Sequence, residues 1–277
     1  MTWFAYPYND DDAKELAADF ASAQPFPHLV LQDFIGHSAN EVVHQFPGSE
    51  WAGWSRFRDE YQIGKMFCED IEAMPDPFAD MIHELSSPRF LRFLETITGI
   101  GALIPDPHLN GGGLHCSPEG GVLAPHTDFH IYDRLELFRR INVLVYLNSE
   151  WGESDGGCLE LWCKGDAAPS KAVVPSYGTC VIFRTDDSSV HGFSPITRTA
   201  QPRRSLALYY YTSTESAEFS GDTHTYWQQH GPAFGTQRLR LGLYHALLYV
   251  SRRFSRLAYR ANPKVQGVPL PPPIQES

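Results

Sequence analysis

The chain has 277 residues, of which 42% are hydrophobic and 13% aromatic, and its formal net charge is −11 at pH 7. This composition is enough for a sizeable folded core and excludes a chain that is disordered throughout. The acidic balance excludes a main body that binds nucleic acid nonspecifically through positive charge. The length suits one elaborated domain.

The first part of the chain is predicted to combine helices with one strand. A short helix is expected over residues 12–20 and a strand over residues 28–33. Residues 75–98 repeat apolar side chains at helical spacing, which predicts two consecutive helices, interrupted at Ser86-Ser87-Pro88 and ended by Gly99. We expect these two helices to cover the outer face of a sheet.

From about residue 107 to residue 213 the chain is predicted to consist mainly of strands. Apolar runs at 141–148, 158–162, 178–183 and 206–211 predict buried strands separated by turns. The preceding Gly111-Gly112-Gly113 lacks the lysine and the helix start of a phosphate loop. We expect it to lead into a strand at a point where another backbone approaches closely.

Two histidines and an aspartate within this region have the chemistry of a metal site. His126 and Asp128 stand two residues apart, which on a strand directs both side chains to the same side. His191 follows after 62 intervening residues and would come from a distant strand brought alongside. Two imidazoles and one carboxylate are the ligands of the facial triad, which occupies one face of an octahedral Fe(II) and leaves the other positions open.

Arginines stand at the beginning of two predicted strands. An arginine at the mouth of a buried strand, as in Pro202-Arg203-Arg204-Ser205, is costly unless it meets an anion, and its guanidinium matches a carboxylate in bidentate fashion. In the earlier strand, alternation of side chains places Arg140, Asn142 and Tyr146 on one face. Arg140 is therefore a candidate contact for an acidic substrate group, with a surface ion pair to Asp133 or Glu136 as the alternative.

The order of these segments resembles a known family. His-x-Asp, Tyr-Leu-Asn, Gly-Gly-x-Leu, Gly-x-x-Val-Ile-Phe, His and Arg-x-x-Leu follow one another as in the 2-oxoglutarate- and Fe(II)-dependent dioxygenases, in their prolyl-4-hydroxylase-like branch. The match covers roughly residues 107–213, and a weaker likeness begins at residues 25–31. It implies a mainly β fold with flanking α, namely a distorted double-stranded β-helix or jelly-roll with N-terminal and C-terminal helices.

The resemblance also implies roles for individual residues. His126, Asp128 and His191 are expected to bind Fe(II), and no catalytic residue is predicted beyond these ligands. Arg204 resembles the arginine that holds the distal carboxylate of 2-oxoglutarate, and Tyr146 resembles the tyrosine that hydrogen-bonds it.

Further candidates for cosubstrate contacts are Asn142 and Cys116. Cys116 stands ten residues before the first metal ligand, where relatives often have a tyrosine. Candidates for substrate contacts, besides Arg140, are His115 and His130. Since His115 alternates with Cys116, only one of the two is expected to face the pocket.

The implied reaction is hydroxylation of an unactivated C–H bond with O2, with succinate and CO2 as coproducts. The substrate would be a small molecule, an amino acid or a prolyl or peptidyl group. The carboxylate of Asp128 favours a hydroxylase, because halogenating relatives have Ala or Gly at that position. Two alternatives remain open: a cupin-type metal enzyme that needs no 2-oxoglutarate, and a jelly-roll binding module without catalysis.

We expect residues 1–236 to form a single catalytic domain, followed by a basic helix at 237–264 and a Pro-rich tail at 265–277. The segment 237–264 contains seven Lys and Arg and no Asp or Glu. Its helical pattern, with Leu247, Phe254 and Leu257 among the apolar positions, predicts that it packs on the acidic domain. The alternative is contact with a partner or a membrane surface.

Cysteine usage and hydropathy bound the location of the chain. The five cysteines match neither a disulfide framework nor a zinc ribbon, the first eleven residues carry acidic side chains where a signal peptide would be basic, and no apolar run approaches a membrane span. We therefore expect a cytoplasmic protein with no integral membrane association. Its expected partner is the substrate, not a nucleic acid.

Overall fold

The computed structural model of the chain describes residues 2–6, 10–37, 39–56, 61–198, 200–214, 225–227 and 236–261. The predicted Pro-rich tail, residues 265–277, lies outside the described residues.

The helices agree with the pattern in the sequence. They are α1 (Asp10–Ser22), α2 (Ala39–Val43), α3 (Asp76–Leu85), α4 (Pro88–Thr98) and, after the strands, α5 (Thr236–Ala261). The two helices predicted over 75–98 are confirmed as α3 and α4. Ser87 caps α4 by accepting a hydrogen bond from the Phe90 amide at 3.3 Å, and Gly99 ends it in the left-handed conformation that glycine adopts most easily.

The strands pair antiparallel in two sheets. In chain order they are β1 (His28–Leu31), β2 (Ser55–Arg56), β3 (Gln62–Ile63), β4 (Met66–Cys68), β5 (Ile104–Pro105), β6 (Gly113–Ser117), β7 (Val122–Thr127), β8 (Ile131–Tyr132), β9 (Leu137–Tyr146), β10 (Leu159–Trp162), β11 (Lys171–Val173), β12 (Cys180–Arg184), β13 (Val190–Phe193), β14 (Arg203–Thr212) and β15 (Tyr226–Trp227). The larger sheet has the order β1-β12-β9-β14-β6-β4-β2, with β5 on β14 and β8 on β9. The smaller sheet has the order β11-β10-β13-β7-β15, with β3 on β7.

The main strands alternate between the two sheets along the chain. Strands β6, β9, β12 and β14 belong to the larger sheet, and β7, β10 and β13 to the smaller one. This alternation is that of a jelly-roll, so that the predicted fold class is confirmed. These main strands span residues 113–212.

The outer face of the larger sheet is covered by α3 and α4. Phe78 and Leu94 from these helices share a buried cluster with Ile141 and Leu208 of the sheet. The Tyr210 hydroxyl donates a hydrogen bond to the Leu85 carbonyl oxygen at 2.9 Å, which joins β14 to the end of α3. The helices therefore support the sheet from behind and leave its inner face to line the site.

Strand β9 contains an irregularity that changes which side chains face inward. Its pairing with β14 sets Ile141 opposite Tyr210 and Arg139 opposite Tyr211, so that Arg140 is an extra residue in β9. A bulge of this kind shifts the alternation of side chains by one position. Arg139 and Asn142 consequently share the inner face.

The glycine run before β6 has the predicted role. Gly113 has a φ of +82°, and a Cβ atom at this position would collide with the carbonyl oxygen of Cys68 on the neighbouring β4. Glycine permits both the backbone conformation and the close approach.

Helix α5 differs from the expectation for its apolar residues. Leu247, Phe254 and Leu257, which were predicted to pack on the domain, are 59%, 67% and 60% exposed. No helix in the described residues is both long enough and apolar enough to cross a membrane.

Candidate metal and cosubstrate site

Two neighbouring strands of the smaller sheet bring the predicted metal ligands together. His191 on β13 stands directly opposite His126 on β7, and Asp128 follows the end of β7. One ligand atom from each residue lies within 4.8 Å of the others, and all three side chains are buried. His126 Nε2 is 3.5 Å from Asp128 Oδ1, and His191 Nε2 is 3.6 Å from Asp128 Oδ2.

Both imidazoles are oriented by the backbone of their own strands. His126 Nδ1 donates to the Ala124 carbonyl oxygen at 2.9 Å, and His191 Nδ1 donates to the Ser189 carbonyl oxygen at 3.0 Å. A carbonyl oxygen can only accept, so Nδ1 carries a proton and Nε2 is the ring nitrogen that faces the triad. Burial lowers the pKa of His191 to about 4, which favours the neutral imidazole that a metal requires.

Asp128 is held by two side chains of β9. Its Oδ2 accepts a hydrogen bond from Asn142 Nδ2 at 2.7 Å and forms an ion pair with Arg139 Nη2 at 2.9 Å. Arg139 Nε also donates to Asn142 Oδ1 at 2.9 Å, which fixes the two β9 side chains to each other. Although burial by itself raises the pKa of Asp128, Arg139 and the histidines hold it well below its usual range.

The donor set therefore fits a divalent metal ion. It consists of two imidazole nitrogens and one carboxylate, which are the ligands of the facial triad. Asp128 Oδ2 is already engaged by Arg139 and Asn142. Asp128 Oδ1 remains as the oxygen to offer to a metal.

The three ligands line a cavity of about 220 Å³ between the two sheets. Its polar lining also includes Arg203, Tyr146, His115 and Lys65. Its apolar and aromatic lining comprises Leu123, Leu144, Leu159, Phe193, Phe129, Tyr209 and Trp227. A small anion bound beside a metal would therefore have both cationic and apolar contacts.

Arg203 lines this cavity and meets no carboxylate among the described residues. It is only 6% exposed, and its guanidinium carbon lies 4.4 Å from the centre of the Phe193 ring and 4.9 Å from that of Tyr146. Its Nε donates to the Gly157 carbonyl oxygen at 2.7 Å, but no carboxylate within the described part of the chain forms an ion pair with it. Burial lowers the pKa of Arg203, a cost that an anionic ligand would offset.

The predicted orientation of Arg204 was wrong. Its guanidinium carbon lies 5.2 Å from the centre of the Phe46 ring, away from the cavity, and its backbone stands opposite Cys116 of β6. Adjacent residues of a strand face opposite sides, and Arg203 of β14 faces the cavity. The inward-facing positions predicted for this strand were therefore wrong by one residue. The Arg-x-x-Leu spacing could have corrected it, because Arg203 stands three residues before Leu206.

The predicted orientation of Arg140 was wrong for a different reason. Because of the bulge in β9, Arg139 lines the cavity, whereas Arg140 reaches the Thr212 hydroxyl at 3.5 Å. A bulge depends on pairing between strands, which the alternation within a single segment does not reveal.

Of the remaining cosubstrate candidates, Tyr146 lines the cavity beside Arg203 and is fully buried. Asn142 lines it too, but its amide group is used by Asp128 and Arg139. Cys116 does not line the cavity. It is buried in the core beneath the helices, where burial raises the pKa of its thiol to about 11.

The two histidine candidates differ. His115 lines the cavity, and its Nε2 lies 3.0 Å from the Gly111 carbonyl oxygen. Burial, with further contributions from Lys65 and Arg203, lowers its pKa well below the usual value. His130 is buried outside the cavity, with its Nδ1 3.4 Å from Asp187 Oδ1.

Trp227 is among the cavity residues that the sequence pattern did not indicate. Trp227 on β15 lies with its ring centre 4.7 Å from that of His126 and stacks on Tyr61 at 5.2 Å. Strand β15 has only two residues and pairs with β7 across almost a hundred positions of sequence. Such a short strand has no periodicity from which its position could be read.

Comparisons with known proteins agree with this site. A family model described as the 2OG-Fe(II) oxygenase superfamily matches residues 112–211. The chain is 25% identical over 194 residues to a prolyl 3-hydroxylase OGFOD1 of Xenopus laevis, covering 68% of this chain and 35% of that protein. It is 27% identical over 137 residues to a prolyl 3,4-dihydroxylase OGFOD1 of Ostreococcus tauri, covering 46% of this chain and 25% of that protein. The chain thus spans about a third of the length of the Xenopus laevis protein and about a quarter of the length of the Ostreococcus tauri protein.

A solved structure shares the fold. It is a prolyl hydroxylase from Trichoplax adhaerens in complex with a peptide fragment of hypoxia inducible factor, with a TM-score of 0.52 and 19% identity, covering 75% of this chain and 94% of that one. The matched residues 112–211 include the candidate metal ligands His126, Asp128 and His191 as well as Tyr146 and Arg203. Over residues 112–211 the chain is thus similar to the 2OG-Fe(II) oxygenase superfamily, and the curated relatives that it matches are named as prolyl hydroxylases.

Proposed function

We propose that this chain is an Fe(II)- and 2-oxoglutarate-dependent oxygenase that hydroxylates a C–H bond of a prolyl or peptidyl substrate. The observation that carries the proposal is the presence, in one cavity, of a buried His126–Asp128–His191 triad and a buried Arg203 without a carboxylate partner in the described residues. A facial triad alone would also suit other iron enzymes. The buried guanidinium adds a site for a second, anionic component.

The residues divide into two groups by what they bind. His126, Asp128 and His191 would hold Fe(II), with Asp128 fixed by Arg139 and Asn142. Arg203 and the Tyr146 hydroxyl would bind the distal carboxylate of 2-oxoglutarate, so that the role first assigned to Arg204 passes to Arg203. When bound with O2, iron and 2-oxoglutarate would supply the oxidising chemistry, in which 2-oxoglutarate is converted to succinate and CO2.

The protein would contribute position and exclusion of water. Leu144, Leu159 and Phe193 provide apolar walls near Arg203, and in such surroundings a charged pair is less weakened by solvent. On the side of His126, Trp227 and Tyr61 form an aromatic wall. A pyrrolidine ring, which is apolar and compact, would pack against this wall close to the metal.

The preference for a prolyl substrate rests on the two curated relatives, whose names identify them as prolyl hydroxylases. We extend it to this chain as part of the proposal. We also propose a cytoplasmic setting, because all five cysteines are free. We further propose that the basic helix α5 contacts a partner other than the substrate, either another protein or a membrane surface.

The metal and cosubstrate are tested by anaerobic addition of Fe(II) and 2-oxoglutarate. Bidentate binding of the keto acid to iron should give a weak visible charge-transfer band, which requires no knowledge of the substrate. His191→Ala should abolish the band, because two remaining ligands hold iron too weakly. The matched control is His44→Ala, since His44 is exposed and is not among the residues that line the cavity.

The alternatives give different results in the same experiment. A cupin-type enzyme that needs no 2-oxoglutarate would bind iron without developing the band, and a binding module would not retain iron. Succinate release should then be measured across prolyl peptides, free amino acids and small metabolites. Stimulation by a free amino acid or metabolite but by no prolyl peptide would contradict the substrate class.

A further inference from the structure

Helix α5 presents an apolar stripe to solvent. The described chain has eight exposed large apolar side chains, and all but Ile63 lie on α5. Six of these seven are spaced by four, four, three, four and three residues and are between 47% and 78% exposed: Leu239, Leu243, Leu247, Val250, Phe254 and Leu257. At about 100° per residue they fall within about 80° of the helix circumference.

The stripe is separate from the point where the helix meets the domain. The Tyr244 hydroxyl donates to the Thr225 carbonyl oxygen at 3.2 Å, and Thr225 lines the active-site cavity. Helical spacing places Tyr244 outside the arc of the stripe. One side of α5 is therefore attached beside the cavity while the apolar stripe stays in contact with water.

The helix is also strongly basic. Residues 236–261 contain six arginines and no Asp or Glu. Of these, Arg240 and Arg253 are exposed and, by their spacing, flank the stripe on its two sides. With the seven basic residues of 237–264 set aside, the remainder of the chain has 15 Lys and Arg against 33 Asp and Glu. Positive charge is thus concentrated where the apolar side chains are exposed.

The positive charge of α5 indicates what kind of surface could bind the apolar stripe. Pairing with a second copy of α5 would suit the spacing, but it would bring arginines against arginines with no carboxylate between them. An anionic lipid surface takes up both features, because leucine and phenylalanine enter the acyl boundary while arginines remain at the headgroups. The acidic body would be repelled by that surface, but salt screens such repulsion beyond about 8 Å.

We propose that α5 is a membrane-surface helix, whose stripe Leu239–Leu257 binds in the plane of a bilayer that contains anionic lipid. This inference goes beyond the proposed oxygenase activity and does not depend on it. Because α5 is attached next to Thr225, binding would bring the mouth of the cavity near the lipid surface.

The test is flotation of the full chain with vesicles of phosphatidylcholine alone or with about a third phosphatidylserine, at about 0.15 M salt. We expect at least tenfold stronger binding to the anionic vesicles. The double variant Leu247→Gln/Phe254→Gln should lose this binding. The matched control Gly242→Gln/Ser251→Gln should keep it, because both control positions are exposed on α5 outside the stripe. Each of Arg240→Gln and Arg253→Gln should weaken binding about fivefold.

Far-UV circular dichroism establishes that α5 remains helical in each variant, and sedimentation velocity gives the mass of the wild type. A wild-type dimer that the Leu247→Gln/Phe254→Gln variant dissociates, without preference for anionic vesicles, would overturn the proposal in favour of a second copy. Equal binding to both kinds of vesicle would overturn it as well, since the arginines would then have no role.

Discussion

Two pairs of adjacent arginines open neighbouring strands of the larger sheet, and one member of each pair faces the cavity. On β9 it is Arg139, which forms an ion pair with Asp128 at 2.9 Å and donates to Asn142. On β14 it is Arg203, which is also buried but meets aromatic side chains and a backbone carbonyl, and no carboxylate, in the described residues. A buried cation whose charge is already balanced orients its partner, whereas one without a counterion is prepared for a ligand. The difference separates a positioning residue from a binding residue.

The strongest test of this contrast is Arg203→Ala. Removing the partner of a buried carboxylate typically costs about 3–5 kcal/mol, or roughly two to three and a half decades in affinity. We therefore expect the 2-oxoglutarate requirement to rise by that factor, measured by anaerobic titration of the charge-transfer band, with iron affinity nearly unchanged.

Arg204→Ala is the control for this prediction, because Arg204 lies on the opposite face of β14 over Phe46. It should change the 2-oxoglutarate requirement little. If Arg204 were the sensitive residue, the inward-facing assignment of β14 would be wrong.

A smaller effect, of a different kind, is expected for Arg139→Met. This change removes the ion pair to Asp128 Oδ2 while keeping an unbranched side chain. Loss of a residue that orients a metal ligand typically lowers metal affinity by about 10–100-fold. Competition with a chelator under anaerobic conditions would measure the affinity for Fe(II).

Arg140→Met is the matched control, because the bulge places Arg140 outside the cavity. Arg139→Lys retains the positive charge but not the planar guanidinium with its several donors. It should give an intermediate affinity for Fe(II). Iron affinity equal to that of the wild type in Arg139→Met would show that Asn142 alone suffices to orient Asp128.

The smallest effect concerns His115, which lies near Arg203. Its pKa is lowered by burial and by the neighbouring cations, so in acid the unfolded chain takes up a proton that the folded chain resists. Stability should therefore fall as pH drops below about 6.5, by at most about 1.4 kcal/mol per pH unit from this residue. His115→Gln should show a shallower loss than the wild type in urea unfolding between pH 7 and 5.5. Identical slopes would contradict the prediction.

Much of the fold could be predicted because it depends on local patterns. The two helices of residues 75–98 follow from apolar spacing, a serine cap and Gly99, all within a few residues of one another. The main strands follow from apolar runs bounded by glycine turns. The metal ligands followed from an i, i+2 pair and one distant histidine, because His126 and His191 need only be placed on adjacent strands.

The errors at the site have a common physical origin. Which arginine of each pair faces the cavity depends on the alternation of side chains along the strand. A shift of one residue exchanges Arg203 with Arg204, or Arg139 with Arg140. In β9 that phase is set by a bulge against β14, and in β14 by its pairing with β6 and β9. Trp227 lies in the cavity because it belongs to β15, a two-residue strand that is too short to show any periodicity in the sequence.

By itself the sequence determined the jelly-roll class and predicted the His126–Asp128–His191 triad and an anion contact at the start of β14, because these depend on residue chemistry and spacing along the chain. Only the tertiary structure decided which arginine of each pair enters the cavity, that Asp128 is held by Arg139 and Asn142, and that the stripe of α5 stays exposed. The reason is that pairing register, bulges and burial arise between segments far apart in sequence. Side-chain alternation within one strand leaves them undetermined.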